Sequence, residues 1–398
     1  MVAKYRSVLS VPGSPGLILA ALAGRLPLGM STLAILLLVR ETGHSYAIAG
    51  ISVGAYAFAS AASAPVQGRL IDRFGRLRVM VPMALGQAAV LVAFVLVASA
   101  DASGAAVVPL AALAGALMPP VSPTARALMR DVYRDPHVRE TAYALDSVVQ
   151  EVVWVIGPLI VALVVGFTSP EVGVLLVATV CVIGTTLFVR SPLARGSGTR
   201  AAHEPRVSVL SNHELRAMLI PIALTGVGLG AIEVGLPSLA LHAGSRPASG
   251  LLLAVWSLGS LTGGLWYGAR VWSSSLARRY RLLLVAAIAF QAPLIIARTV
   301  PEGIIGSLLA GLMIAPVFSC QYAMIGRAAP SGSETEAFTW VSAALVAGLA
   351  TGSAIGGALI GPAGVSAPFV FSCLATAVAA TIALRTPEPA FALQSSAS

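Results

Sequence analysis

Four ionisable side chains, Arg25, Asp146, Glu151 and Glu233, stand inside long apolar runs of a 398-residue chain in which 10% of residues are charged. A charged group at the centre of a bilayer costs roughly 2.5 to 3.5 kcal/mol even on a lenient insertion scale, so such residues are functional candidates by default. Desolvation raises a carboxyl pKa and a nearby arginine lowers it, so acids placed this way can titrate near neutral pH as their surroundings alternate. The chemistry on offer is reversible proton binding and recognition of charge. Little else competes. Cys181, Cys320 and Cys373 all fall in apolar runs without metal-ligand spacing and read as packing residues. The five histidines form no HxxxH cluster, and neither a glycine-rich phosphate loop nor a nucleophile elbow occurs. No catalytic residue, metal or organic cofactor is expected, and the chain does not read as an enzyme.

The residues around these charges sharpen the pattern. On a helix turning about 100° per residue, Tyr143, Asp146, Ser147, Gln150, Glu151 and Trp154 share an arc of roughly 140°, with Leu145, Val148, Val149 and Val152 opposite. Asp146 and Gln150 are spaced to hydrogen bond, and a polar stripe in hydrocarbon must face protein or a water-filled cavity. Glu233 lies in LTGVGLGAIEVGLP, where Gly226, Gly230, Glu233 and Pro237 share a face, and the glycines with Pro237 predict a kinked or broken helix. Arg25, in ALAGRLPLGM, is a candidate counter-ion to Glu151 or Glu233, or a site for an anionic substrate. The alternative for each acid is a structural polar network between helices, and Arg25 could snorkel to the membrane face.

The elements that position these residues follow from composition. With 57% hydrophobic residues and a mean hydropathy of +0.88, the chain is too apolar for a soluble domain. Spanning about 30 Å of hydrocarbon takes roughly 20 apolar residues. Twelve such runs lie near 17–39, 46–67, 79–100, 104–128, 141–168, 171–190, 215–241, 248–270, 281–300, 303–326, 335–361 and 365–385. The first is too long for the apolar core of a cleaved signal, and a second follows at once. The fold class is therefore an all-α membrane protein of twelve transmembrane helices. Of the 25 lysines and arginines, 21 fall on the side that holds both termini, against Arg40, Arg246 and Arg298 opposite and Arg25 within the first run. That asymmetry places both termini in the cytoplasm and accounts for the +9 charge without a nucleic-acid partner.

The long polar stretch 191–214 divides the runs six and six, giving an N-terminal bundle (1–190), a cytoplasmic linker (191–214) and a C-terminal bundle (215–398). An offset of 195 pairs Gly68 and Leu70 with Gly263 and Leu265, Ala142 and Tyr143 with Ala337 and Phe338, and Gly157 with Gly352. An offset of 196 pairs Ala114, Gly115, Pro120 and Val121 with Ala310, Gly311, Pro316 and Val317. A shared offset at three helix pairs reads as a duplicated six-helix unit, two bundles related by a pseudo-two-fold axis.

Between the second and third runs stands GRLIDRFGRLR, four arginines and an aspartate in an otherwise oily chain. Its Gly68, Leu70, Asp72, Arg73, Gly75, Arg76 and Arg78 resemble the Gly-x-Leu-x-Asp-Arg-x-Gly-Arg signature of the major facilitator superfamily. The resemblance covers the whole chain in topology and this stretch in specific residues. It implies a conformational latch in which Asp72 sits against the N-terminus of the eleventh helix, near Glu334 to Ala337, with Gly68 allowing close helix approach and Gly75 a tight turn. The second-half copy, GGLWYGAR, holds Tyr267 where the first has Asp72, so one latch of this kind is expected. Arg126 would pair with Asp72 or Asp131.

The pattern is nearest to bacterial drug and metabolite efflux members. Their fifth-helix motif is represented by Gly157 and Pro158, but Val161 and Ala162 replace the following glycine pair, Val153 replaces the upstream glycine, and their fourth-helix membrane arginine is missing. The cavity helices combine aromatics and methionines (Met30, Tyr56, Met118, Trp154, Trp256, Tyr322 and Trp340) with few amides beyond Gln150 and Gln321, which favours an apolar or amphipathic organic substrate over a sugar. The expected function is alternating-access transport of such a molecule, proton-coupled and outward. The alternatives are a proton-coupled symporter importing a sugar or organic acid and, more remotely, a receptor or scaffold. Expected partners are a small-molecule substrate, protons and membrane lipid, with the protein a monomer. A single lysine against 24 arginines, with abundant alanine and glycine, points to the cytoplasmic membrane of a bacterium with a GC-rich genome.

Overall fold

The computed structural model describes residues 2–44, 46–100, 104–196, 209–245, 248–270, 272–330 and 332–385. Within hydrocarbon a backbone must satisfy its own hydrogen bonds, and an apolar segment does so as a helix. Twelve helices among the described residues are long and apolar enough to cross a membrane: Ser14–Glu41, Ile48–Phe74, Arg76–Ser99, Ala105–Val132, Pro136–Phe167, Pro170–Arg190, His213–His242, Ala248–Ala269, Leu276–Ile296, Val300–Ala328, Glu334–Ala363 and Ala367–Arg385. They match the twelve apolar runs, and no strand occurs among the described residues. A short helix, α1 (Val2–Leu9), precedes them. Of the polar stretch 191–214, residues 197–208 lie outside the described residues. The seventh span starts beyond it, at Asn212, whose side chain accepts from the Glu214 backbone N–H at 2.9 Å as an N-cap.

Each set of six helices repeats one packing scheme: the first helix lies on the fifth and sixth, the second on the fourth, and the third on the sixth. Helices in lipid gain little from hydrophobic burial against each other, so close backbone approach at small residues carries the association. Gly157 of the fifth span packs on Gly29 of the first, where an added Cβ would lie 2.7 Å from the Gly29 carbonyl carbon. Its repeat partner Gly352 packs on Val227 of the seventh span in the same way. The offsets therefore mark equivalent contacts as well as similar sequence. Two equivalent pairs even meet each other across the axis. Tyr143 and Phe338 stand 6.0 Å apart between ring centroids. Continuing the offset of 196, the Arg126 guanidinium lies 3.9 Å over the ring of Tyr322.

The helix interruptions differ from expectation. The seventh span is one continuous helix that contains Pro221 and Pro237, and Gly226 and Gly230 are used for packing against the backbone of Leu345 and Leu349 rather than for bending. Two breaks fall at equivalent points of the fourth and tenth spans, between Ala116 and Val121 and at Met313, and a third falls in the ninth span at Ala292, ahead of Pro293. In the fourth span, Pro119 and Pro120 together remove two successive donors, whereas the seventh span spaces its prolines widely. The charged stretch 68–78 is also less of a loop than it reads: helix continues to Phe74 and resumes at Arg76, leaving Gly75 at φ +88 as the whole turn.

These contacts predict opposite outcomes for two glycines. Gly157→Ala forces the first and fifth spans apart, at about 1–3 kcal/mol by the usual cost of overpacking, and lowers the thermal midpoint of the purified protein. Gly54→Ala, whose Cβ would meet nothing within 4 Å, leaves the midpoint unchanged or raises it.

Candidate functional site

The polar arc of the fifth span divides into two edges facing different neighbours. One edge turns into its own half. Asp146, buried, accepts from the Arg25 Nη2 of the first span at 2.5 Å and from the Arg126 Nε of the fourth at 2.7 Å. Arg25 is thus the counter-ion of Asp146, not of Glu151 or Glu233. Arg126 likewise belongs to this triad and not to Asp72 or Asp131, because the break at 117–120 carries the fourth span toward the fifth as helix Val121–Val132. Gln150 accepts from the Ser122 hydroxyl at 3.1 Å, and so does not pair with Asp146.

The other edge faces the second half. Ser147 lies 3.3 Å from Ser319 of the tenth span. One turn deeper, the Glu151 carboxylate accepts from the Ser260 hydroxyl of the eighth span at 2.9 Å. Tyr143, at the middle of the arc, is fully buried and packs on Tyr322 and Phe338 of the second half. Trp154 follows at 49% exposure. Glu233 stands apart from these residues on the seventh span, exposed, with no hydrogen-bond or ion-pair partner among the described residues. Glycine-lined contacts to the eleventh span hold its helix in place. The structure therefore gathers Arg25, Asp146, Gln150, Glu151, Tyr143 and Trp154 on and around the fifth span, and leaves Glu233 outside that group. Pro158, next to Gly157, sits within the unbroken fifth helix.

From Glu151 to the arginine-rich end, the halves are joined by polar bonds. Asp72 accepts from the backbone N–H groups of Glu336 at 2.8 Å and Thr335 at 3.3 Å, which are first-turn donors of the eleventh span (Glu334–Ala363). A carboxylate there meets unsatisfied donors and the positive end of the helix dipole. Gly68 makes the approach possible, since a Cβ would lie 2.9 Å from the Glu336 Cα. The arginines of the stretch do different things. Arg69 pairs with Glu336 across the halves at 2.8 Å. Arg76 donates to the Ala194 carbonyl at 3.1 Å, Arg73 lies 5.1 Å over the Phe74 ring, and Arg78 is exposed. Arg130 adds bonds to the Ala329 carbonyl and Glu334.

A second joint stands at the equivalent place on the other side of the axis, with its charges exchanged. Glu140, at the start of the fifth span, receives two bonds from Arg279 of the ninth span, at 2.8 and 3.2 Å, and one from Arg327 of the tenth at 3.0 Å. Arg279 also reaches the Tyr267 hydroxyl at 3.3 Å, so the tyrosine in the position of Asp72 orients a base where the first joint uses an acid. The second joint is thus of a different kind from the Asp72 latch, an ion-pair cluster in place of a carboxylate on helix-terminal N–H groups. Glu140, Arg279 and Arg327 carried no motif in the sequence. The strap α1 also crosses the joint: the Tyr5 hydroxyl donates to the Leu265 carbonyl of the eighth span at 2.9 Å, and burial pushes it up to about 12.

Two matched six-helix bundles, joined here at one end by polar bonds, are the architecture of a large class of membrane transporters. Residues 17–300 match the Major Facilitator Superfamily, and the chain belongs to that family of secondary transporters. It is 27% identical to an uncharacterized MFS-type transporter of Sinorhizobium fredii, over 97% of this chain and 98% of the relative. Among solved structures, it is similar to the human organic anion transporter MFSD10, with TM-score 0.70 and 18% identity over 95% of this chain and 99% of that one. It is also similar to a bacterial homologue of the iron transporter ferroportin in its outward-facing state, with TM-score 0.74 and 12% identity over 93% and 98%.

The two joints predict a shared effect on separation of the halves. In a background with Cys181, Cys320 and Cys373 replaced by alanine, a cysteine introduced by Ser319→Cys is shielded at the interface. Hydrogen bonds to charged groups are worth about 1.5–3 kcal/mol, so adding Asp72→Asn with Glu140→Gln raises its maleimide labelling rate about tenfold or more. Either change alone raises it less.

Proposed function

We propose that the protein exports small apolar or amphipathic organic compounds across the cytoplasmic membrane of a bacterium in exchange for protons, acting as a monomer with both termini in the cytoplasm. The observation that carries this reading is the Glu151 to Ser260 bond. Glu151 is a membrane acid whose partner belongs to the other half, so its protonation is tied to whether the halves are joined at that depth. When ionised, it holds Ser260 through a charge-assisted bond; when protonated, it holds it more weakly. A proton arriving at Glu151 from the open side therefore favours release of the joint, and separation of the halves exposes the acid to the other side.

The charge asymmetry supports the orientation, since 21 of the 25 lysines and arginines fall in the segments on the side of the chain that carries the joints. With that side cytoplasmic, the described arrangement is closed inward, and Asp72 and Glu140 are the contacts that must break for substrate to enter from the cytoplasm. Glu233, unpaired on the seventh span, is the second acid available to carry a proton or meet a cationic substrate group. Trp154 supplies an apolar surface beside Glu151 for the substrate body.

The reading is tested in liposomes loaded with a pH-sensitive dye and challenged with lipophilic cations, neutral amphiphiles, sugars and organic acids. Substrate-dependent proton movement is expected for amphiphiles and not for sugars, and it falls about tenfold or more in Glu151→Gln and in Glu233→Gln, as removal of an essential proton carrier demands. Proton flux unchanged in both variants would remove the coupling role from these acids, and sugar-driven proton uptake would establish import.

A further inference from the structure

The short helix α1 stands outside both bundles yet touches each of them, lying on the fifth span of its own half and on the eighth span of the other. Its base is fixed in the first half. Gly13, at φ +84, turns the chain directly into the first span, and the Ser14 hydroxyl there lies 2.5 Å from the Tyr133 hydroxyl at the end of the fourth. Val8 is fully buried and shares a narrow cleft with Leu17, Met129 and Ala142 of the same half. About one turn earlier on that face, Tyr5 reaches the second half instead. Its hydroxyl donates to the Leu265 carbonyl at 2.9 Å and lies 3.4 Å from the Gly264 carbonyl.

The seat for that hydroxyl is a departure from the duplication. The offset of 195 places Gly264, Tyr267 and Gly268 of the eighth span on Arg69, Asp72 and Arg73 of the second. On the second span, Arg69 and Asp72 themselves reach the eleventh span across the seam. On the eighth, two glycines one turn apart leave the backbone bare, and a Cβ at Gly268 would lie 2.5 Å from the Tyr5 hydroxyl and 2.7 Å from the Ala144 Cβ. The notch therefore accepts a hydroxyl from outside only while it carries no side chain of its own.

We propose that α1 is a conformational strap, whose Tyr5 bond forms only while the halves are closed at the arginine-rich end and so holds that end shut together with the two joints. The bond runs from a segment moored on one half to the backbone of the other, so parting the halves breaks it. The Ser14 to Tyr133 bond lies within one half and survives. Because the strap lies outside both bundles, displacing it loosens the seam without altering any residue of the joints. This role is independent of which substrate is carried and of whether protons are exchanged for it.

The test reads the maleimide labelling rate of the Ser319→Cys protein, with Cys181, Cys320 and Cys373 replaced by alanine, in nanodiscs without a gradient. Tyr5→Phe keeps the ring and removes only the hydroxyl, so the rate is expected to rise about two- to tenfold, the range set by one neutral hydrogen bond. Tyr133→Phe removes a bond made in both arrangements and leaves the rate unchanged. Asp72→Asn with Glu140→Gln raises it with the strap intact, which shows that the label reports separation. An unchanged rate in Tyr5→Phe while the joint variant responds would overturn the strap alone, as would an equal rise in Tyr133→Phe. No rise in any variant would overturn separation at this end and the strap with it.

Discussion

The two halves meet through one apolar cluster, in which Tyr143 packs on Tyr322 and Phe338. Polar bonds tie the two faces together toward one end: Asp72 on the first turn of the eleventh span, Glu140 between Arg279 and Arg327, Arg130 on Glu334, and Glu151 on Ser260. Each is individually modest, and each can be exchanged for water or another partner when the halves separate. Within the halves, glycines bring helix backbones together at Gly157 on Gly29 and Gly352 on Val227.

Duplication supplies the frame, and departures from it supply the chemistry. Tyr143 and Phe338 face each other across the axis as equivalent residues, while Arg126 and Tyr322 are equivalent in place but opposite in character. The second case turns a symmetric contact into a cation over an aromatic ring, an attraction that two identical residues could not make. The two joints show the same logic. One uses an acid near the end of the second span against helix-terminal N–H groups; the other puts the acid on the fifth span and the bases on the ninth and tenth, with Tyr267 holding Arg279 in place.

The fifth span is where these themes converge. Its polar residues occupy two edges one turn apart, so one helix both anchors the charge triad of its own half and bonds to the other half. Arg126, bonded to Asp146 and lying over the Tyr322 ring, is the member of the triad that touches the second half. The charge triad and the half-to-half contact are thus neighbours on a single helix.

The sequence by itself determined the twelve spans, their division into equivalent sixes, the polar arc on the fifth helix and the signature around Asp72, because these depend on composition, periodicity and local spacing. It also singled out Arg25, Asp146, Glu151 and Glu233 as costly, though not their partners. Only the tertiary structure decided that Arg25 and Arg126 share Asp146, that Glu140 meets Arg279 from 139 positions away, that Gln150 turns to Ser122, and that the helices break at Pro119–Pro120 and Met313 rather than near Pro237. The physical reason is that a helical period reports which way a side chain points but not which helix stands there. A buried charge announces that it needs a counter-ion, and the identity of that counter-ion depends on the crossing of helices that are far apart in the chain.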